Sequence, residues 1–444
     1  MIICCPDYIN TAIRLLENSG FNAYAVGGCI RDSVMGRTPN DWDMTTSSTP
    51  EETIKVFGNY RVIPTGIKHG TVTVIIDSNP IEITTMRIDG DYTDNRRPDS
   101  VCFTSDIIKD LARRDFTVNA MAYNHRDGLI DPFNGKEDIK ARIIRCVGNP
   151  DKRFNEDALR ILRALRFASV LNFSIDNETD KSIFRNLHLI NNVANERIRV
   201  ELLKLLQGTG VEKILTDYKD IIFSIIPELR ETDGLPQNNK YHIYDVWTHT
   251  VKVVSGVRNT QLLRMSALLH DIGKPCCLKI DSDGTTHFKG HAEKGSDIAD
   301  SILRRLKFSN KEIDEITTLI LLHDDYPDGD KHKVAKYCSE YSFDILRLAL
   351  ELMRGDASGK SPDVRVNLMK SYDKAESQID EIEASNMCLQ ITDLEINGND
   401  LIKLGYHGKD IGTVLSTLLT MVIDEKIINN KDVLIKKAKS LKKF

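Results

Sequence analysis

The run Gly27-Gly28-Cys29-Ile30-Arg31-Asp32, with twelve residues separating Gly28 from the following Asp41-Trp42-Asp43, sets a phosphate cradle beside paired carboxylates. Adjacent glycines let backbone amides approach a phosphate with no side chain in the way. If the aspartates lie on a strand, alternation puts both carboxylates on one face and Trp42 on the other. Two hard anionic ligands next to such a cradle suit Mg²⁺-assisted phosphoryl or nucleotidyl transfer. Glu82, between Ile81 and Ile83, is either a third acid of that site or a charge on an exposed strand face. Arg31 adds positive charge next to the cradle, and Asp32 can orient the turn.

A second cluster, Asp110-Leu-Ala-Arg113-Arg114-Asp115-Phe116-Thr117, reads as a helix entrance that leads into a buried Val118-Asn119-Ala120-Met121-Ala122 segment. Its arginines, with Asp115 and Asn119, suit triphosphate or sugar binding. Farther on, Glu156, Asp157, Arg160, Arg163 and Arg166 read as one polar helix face, opposite an apolar stripe of Ile161, Leu162 and Leu165. Cytosine and adenine both present an exocyclic amine donor beside a ring-nitrogen acceptor. An aspartate can accept from the amine while an arginine donates to the ring nitrogen. Asp157 and Arg160, three residues apart, are within mutual reach on a helix. The competing reading of this face is a set of intrahelical salt bridges.

His249, His270-Asp271, His291, His323 and Asp356 are spread over segments of helical periodicity. Imidazole nitrogens suit Mn²⁺, Ni²⁺ or Fe²⁺ better than Mg²⁺. This order of residues, with His270-Asp271 followed by Ile-Gly-Lys-Pro, resembles the HD phosphohydrolase superfamily. The resemblance implies a divalent metal at the six positions and metal-activated hydrolysis of a phosphate ester. His242 and His287 are read as bystanders.

These groups need a scaffold. The 444 residues are too many for a single core and imply several domains. A helix is expected over residues 8–19 and a strand over Phe21–Val26, with further strands at Arg61–Ile63, Thr71–Ile76 and Ile81–Met86. After Asn149-Pro150 the periodicity is helical. The fold class is therefore α+β, a small mixed-sheet head followed by mainly helical segments: 1–140, 141–235, 241–365 and 366–444. The nine cysteines include no Cys-x-x-Cys pair, which argues against zinc ribbons and a disulfide framework. No apolar run reaches the roughly 18 residues of a membrane span, and the first residues lack the pattern of a signal peptide. A cytoplasmic location is expected. With a net charge of −5, nucleic-acid contacts must come from local basic surfaces. One candidate is Lys436-Lys437-x-Lys439 with Lys442-Lys443, which otherwise is a solvated helix end.

The glycine and aspartate motifs resemble the polymerase-β-type nucleotidyltransferase core. With Arg113–Thr117, Asp131-Pro132-Phe133-x-Gly135 and Glu156-Asp157-x-x-Arg160, they resemble class II tRNA nucleotidyltransferases and bacterial poly(A) polymerases over essentially the whole chain. The resemblance implies a nucleotidyltransferase head, helical neck, HD domain and tRNA-binding tail. It implies Mg²⁺ on Asp41 and Asp43, with tRNA, CTP and ATP as partners. Asp157 and Arg160 would be an amino-acid template for C or A, supported by Arg163 and Arg166. Glu196-Arg197-Ile198-Arg199-x-Glu201 matches a further motif with a structural role in the neck. The stretch Asp89-Gly90-Asp91-Tyr92-x-Asp94-x-Arg96-Arg97-Pro98 resembles the loop that A addition requires, favouring CCA or A addition over CC addition alone. Poly(A) polymerases share the motifs. The same residues also allow an HD phosphohydrolase with a non-catalytic RNA-binding head, or a signalling nucleotidyltransferase. The sequence leaves the oligomeric state open.

Overall fold

Strand β1, Ala23–Val26, is buried along its whole length and organises the first part of the chain. The computed structural model describes residues 2–67, 70–90, 100–238, 241–325, 330–385 and 387–442. Most of the expected A-addition loop, Asp91 to Pro98, lies outside the described residues, as does Lys443. The described chain forms two compact units, residues 1–227 and 228–444.

In the first unit, β1 is joined by β2 (Asp43–Thr46), β3 (Arg61–Gly66), β4 (Thr71–Ile76) and β5 (Asn79–Thr85). A short ribbon, β6 (Arg87–Asp89) with β7 (Val101–Phe103), follows, then β8 (Ala122–Asn124) and β9 (Gly128–Ile130). Seven of these make one mixed sheet, ordered β3-β4-β5-β2-β1-β8-β9. Its parallel pair is β2 with β5, in which Asp43 is the register partner of Glu82. Alternation along β4 and β5 buries Val72, Val74, Ile76, Ile81 and Ile83, so Glu82 emerges on the open face.

Helix α1 (Asp7–Asn18) buries Ile9, Ala12, Ile13 and Leu16, a single apolar stripe. Helix α2 (Gly28–Val34) starts right after β1. Helix α3 (Pro50–Val56) opens on a Thr49/Glu52 capping box. Helix α4 (Ile107–Ala112) ends with Arg113 at its C-cap. The Asp110–Thr117 cluster therefore straddles a helix exit rather than the expected entrance. Helix α5 (Gly135–Ala141) is started by Asp131, whose carboxylate accepts from the amides of Gly135 (2.7 Å) and Lys136 (2.9 Å). A Cβ on Gly135 would lie 2.2 Å from the Thr117 carbonyl oxygen, so the Asp131–Gly135 motif is a packing device.

The short parallel pair β10 (Ile143–Ile144) and β11 (Ser174–Ile175) flanks two helices, α6 (Pro150–Glu156) and α7 (Leu159–Leu171). The single helix expected from Glu156 to Arg166 is thus broken at Asp157, whose backbone is extended (φ −142°, ψ 103°). Asp157 accepts from the amide of Leu159 (3.2 Å) and from Arg197 Nη2 (2.9 Å), and these two bonds hold the chain out of helical geometry. Helices α8 (Asn177–Arg185), α9 (Asn195–Leu206), α10 (Val211–Asp217) and α11 (Lys219–Ile225) complete the unit, with α9 packed along α7.

The second unit is helical: α12 (Val246–Gly256), α13 (Gln261–Leu269), α14 (Lys274–Cys277), α15 (His291–Arg305), α16 (Asn310–Leu322), α17 (Lys331–Glu340), α18 (Phe343–Ser358) and α19 (Pro362–Ala384). A small hairpin, β12 (Lys279–Ile280) with β13 (Thr286–His287), interrupts it. Helices α20 (Gly398–Lys403), α21 (Lys409–Ile423) and α22 (Lys431–Leu441) close on a core of their own around Leu401, Leu418 and Leu434.

Candidate active site and metal centre

The turn between β1 and α2 depends on Gly27. Its φ of +81° is left-handed, and a Cβ there would meet Arg114 Nη1 at 3.0 Å. Gly27 and Gly28 open onto a hollow of about 360 Å³ together with Arg31, Asp43, Arg113, Arg114, Asp115, Asn119, Asp157, Arg160 and Arg163. The hollow also takes in Leu159, Phe167 and Arg197.

Asp43 begins β2 and points into the hollow, whereas Trp42 is buried beneath it. Asp41 lies just before the strand, exposed like Asp43. The Asp43 carboxyl pKa is raised. Crowding by surrounding protein is the main cause, the charges of Glu82 and Asp41 add to it, and Arg114 opposes. A carboxylate disfavoured in its ionised form beside two further acids is a donor set that a divalent cation relieves, so these residues fit Mg²⁺.

The opposite wall is a chain of charge-assisted hydrogen bonds. Arg31 donates to Asn119 Oδ1 (2.7 Å) and to Asp32 Oδ1 (2.9 Å). Arg163 donates to Asp115 Oδ2 from both Nε (2.8 Å) and Nη2 (2.5 Å). Asp115 also accepts from the Phe116 amide at 2.8 Å. Burial alone would raise the Asp115 pKa, but Arg163, Arg160 and that amide outweigh it and bring it down to about 2. Asp110 has no solvent exposure and accepts from Arg113 Nε and Nη2 (2.9 and 2.7 Å), fixing the base of the arginine pair.

Arg160 and Asp157 are tethered too. Arg160 donates to Glu156 Oε2 (2.7 Å) and to the carbonyls of Arg153 (3.2 Å) and Arg113 (3.1 Å). Asp157 is held by Arg197. Both reach the hollow from the break between α6 and α7, although they do not pair with each other. Of the sequence-derived site residues, Asp32, Asp41, Glu82, Glu156 and Arg166 do not line it. Arg166 instead pairs with buried Glu201 (3.1 Å) and lies over the Phe167 ring, 3.9 Å from its centroid. Arg31 and Arg163 approach the same ring at 5.4 and 5.5 Å. Sequence alone does not mark Phe167, Arg197 and Glu201 as site residues. An aromatic within a helical apolar stripe and a charged pair on a neighbouring helix look like ordinary packing, and only the Glu196–Glu201 motif hints at the last two.

In the second unit, the six positions from His249 to Asp356 converge. His270 Nε2 lies 3.2 Å from Asp271 Oδ2, and His249 Nε2 lies 3.7 Å from the same oxygen and 2.8 Å from Asp356 Oδ1. On the other side of Asp271, Oδ1 is 3.4 Å from His291 Nε2 and 3.7 Å from His323 Nε2. Three of the rings are aimed by the same device. Nδ1–H of His270, His291 and His323 donates to the carbonyl three residues back, at 2.8, 3.0 and 2.5 Å. Each Nε2 lone pair is thereby left facing Asp271. His270 Nε2 is buried without a hydrogen-bond partner among the described residues. Carbonyl-oriented imidazoles around a shared carboxylate fit a divalent transition metal. Despite burial, the neighbouring His270 and Lys274 hold Asp271 well below the usual carboxylate range. A cavity of about 540 Å³ opens onto this centre, and His242 and His287 are part of its lining rather than bystanders.

The head, residues 23–145, matches the family model described as "Poly A polymerase head domain". Residues 172–229 match "Probable RNA and SrmB-binding site of polymerase A", and residues 291–438 match a tRNA nucleotidyltransferase domain 2. A CCA-adding enzyme of Ligilactobacillus salivarius is 32% identical over 449 residues, 98% of this chain and 97% of that protein. One from Geobacillus kaustophilus is 45% identical over 218 residues, 49% of this chain and 54% of that protein. The crystal structure of Bacillus stearothermophilus CCA-adding enzyme in complex with CTP superposes with a TM-score of 0.70 at 28% identity, covering 98% of this chain and 96% of that one. With identity sustained over nearly the full length of both chains, this chain belongs to the CCA-adding enzyme family.

Proposed function

We propose that the chain adds C, C and A to tRNA 3′ ends from CTP and ATP, without a nucleic-acid template and with release of pyrophosphate. The observation that carries this reading is that Asp43, the register partner of Glu82, faces the same hollow as Asp157 and Arg160. Chemistry and base choice then share one pocket. Asp41, Asp43 and Glu82 are the residues that would hold Mg²⁺, which supplies charge neutralisation at the attacking 3′-hydroxyl and the leaving pyrophosphate. Gly27 and Gly28 let the triphosphate approach the backbone. Arg31, Arg113 and Arg114 offset its charge, and Asp115 keeps Arg163 aligned. Asp157 accepts from the exocyclic amine of cytosine or adenine while Arg160 donates to the ring nitrogen. Neck and tail hold the acceptor arm by shape and phosphate contacts. Incubating the protein with tRNA lacking CCA and with each nucleotide separately tests this. Two cytidines from CTP and then one adenosine are expected, whereas unlimited extension with ATP alone marks a poly(A) polymerase.

A second activity is favoured by the aimed imidazoles around Asp271. The 241–365 segment is read as an HD-type centre in which His249, His270, Asp271, His291, His323 and Asp356 hold a divalent transition metal and a phosphate ester is hydrolysed. Metal content after dialysis against Mn²⁺ or Ni²⁺ tests it. A cytoplasmic location is part of the proposal; the described residues contain no helix long and apolar enough to cross a membrane.

A further inference from the structure

The lining of the cavity over the histidine cluster includes His242 and Lys360, both outside the metal-ligating set. They come from distant parts of the second unit and are held together by the backbone. His242 and Lys360 form an antiparallel bridge, and the Ser361 amide donates to the Tyr241 carbonyl at 2.9 Å. The close passage of this segment needs Gly359, where a Cβ would lie 2.6 Å from His249 Nδ1.

The His242 ring stands edge-on to His249, with centroids 5.2 Å apart. Its Nδ1 is buried and has no hydrogen-bond partner among the described residues. Lys360 Nζ lies 2.6 Å from Asp356 Oδ2, while the other oxygen of Asp356 faces His249. Lys274 and Lys289 also line the cavity. Lys274 is tied to Asp271 Oδ2 and to Gln237 Oε1, both at 2.7 Å, so two of its three donors are already committed to the wall. A buried nitrogen without a partner is costly unless something in the cavity meets it. A tetrahedral oxyanion next to the carboxylate–imidazole cluster needs one hydrogen-bond donor and one mobile positive charge, and this edge offers both.

We infer that His242 and Lys360 form the phosphate-holding edge of the cavity, His242 donating from Nδ1 and Lys360 turning from Asp356 to the anion. The ligand class is a phosphomonoester or the terminal phosphate of a longer chain, and the 540 Å³ cavity leaves room for a nucleoside beyond it. This inference rests on reading the neighbouring cluster as a metal centre.

The test uses the full-length protein loaded with Mn²⁺, with metal stoichiometry and inorganic phosphate affinity both measured by calorimetry. His242→Ala and Lys360→Met should keep the wild-type metal count and each weaken phosphate binding by about tenfold or more, the loss of one charge-assisted contact. Lys360→Arg should retain most of the affinity. The inference is overturned if the wild-type protein binds Mn²⁺ but no phosphate, or if both variants bind phosphate as the wild type does. It is also overturned if either variant loses Mn²⁺ together with phosphate, which would make its residue part of the metal set. A wild-type protein that binds no Mn²⁺ removes the metal-centre reading itself, a result distinct from all of these.

Discussion

Arg197 grips the carboxylate of Asp157 at 2.9 Å across forty residues of sequence, at the one point where α6 and α7 fail to join into a single helix. The pair fixes an acceptor at the edge of the nucleotide hollow. Arg160 is fixed separately, through Glu156 and two backbone carbonyls. Base choice on this arrangement depends on two residues whose spacing is set by the tertiary structure. Arg160→Ala should relax the preference for CTP and ATP over UTP and GTP by about 1–3 kcal/mol, the worth of a bidentate base contact. Arg197→Ala should do so more weakly, by releasing Asp157. Competition assays with all four nucleotides measure the effect, and unchanged base choice in Arg160→Ala would remove the amino-acid template from the mechanism.

Asp43 is the carboxylate whose loss should separate activity from stability. Asp43→Asn should lower nucleotide incorporation by about a thousandfold or more, since a charged group at the reacting centre is replaced by a neutral one. The same change should raise Tm in metal-free buffer. The pKa of Asp43 is raised in the folded protein, so its ionised form costs stability at neutral pH, and that cost vanishes as the pH falls below the ordinary carboxylate value. The Tm advantage of Asp43→Asn should therefore be present at pH 7 and shrink toward pH 4. A variant less stable than wild type at pH 7 would mean that the fold does not disfavour the ionised Asp43 carboxylate.

What the sequence made legible was local. Alternation in Thr71–Ile76 and Ile81–Ile83 foretold the sheet and the outward face of Glu82, because one buried face imposes a period of two. The glycine turn was equally plain, whereas the strand expected to carry both Asp41 and Asp43 begins only at Asp43. The break at Asp157 was not, because Glu156, Asp157 and Ala158 include no residue that forbids a helix. The apolar stripe of α7 ran on smoothly behind them. The cause lies on another helix, in Arg197. Phe167 was hidden for a similar reason, since nothing local distinguishes a ring that supports three guanidiniums from a core residue. His242 became informative only when the backbone bridge to Lys360 carried it to His249.

Asp115 and Arg163 give a prediction that is independent of catalysis. Asp115 is buried and titrates near 2 in the folded protein, below its ordinary value of 3.8. Its contribution to stability is therefore complete above about pH 4 and is lost as the pH falls toward 2. Asp115→Asn leaves the Arg163 fork without its bidentate partner and should cost about 2–4 kcal/mol at pH 7, toward the cost of breaking a buried ion pair. The difference between variant and wild type should narrow in acid. Urea denaturation at pH 7 and at pH 3 measures both, and a gap that stays constant would place the protective charge elsewhere.

Metal binding at the Asp271 centre should appear as stability, because the folded cluster is assembled from α12, α13, α15, α16 and α18 and has no counterpart in the unfolded chain. His249, His270, His291 and His323 reach Asp271, and Asp356 reaches His249 and His270, from segments that span more than a hundred residues. A ligand at a hundredfold excess over its dissociation constant adds about 2.7 kcal/mol, so Mn²⁺ or Ni²⁺ should raise Tm by several degrees and a chelator should reverse it. Asp271→Asn should abolish the shift, since its two oxygens face the two halves of the cluster. Asp41→Ala, in the other unit, should leave the shift intact while abolishing nucleotide incorporation. A Tm that responds equally to metal in wild type and Asp271→Asn would show that the ion binds somewhere other than this centre.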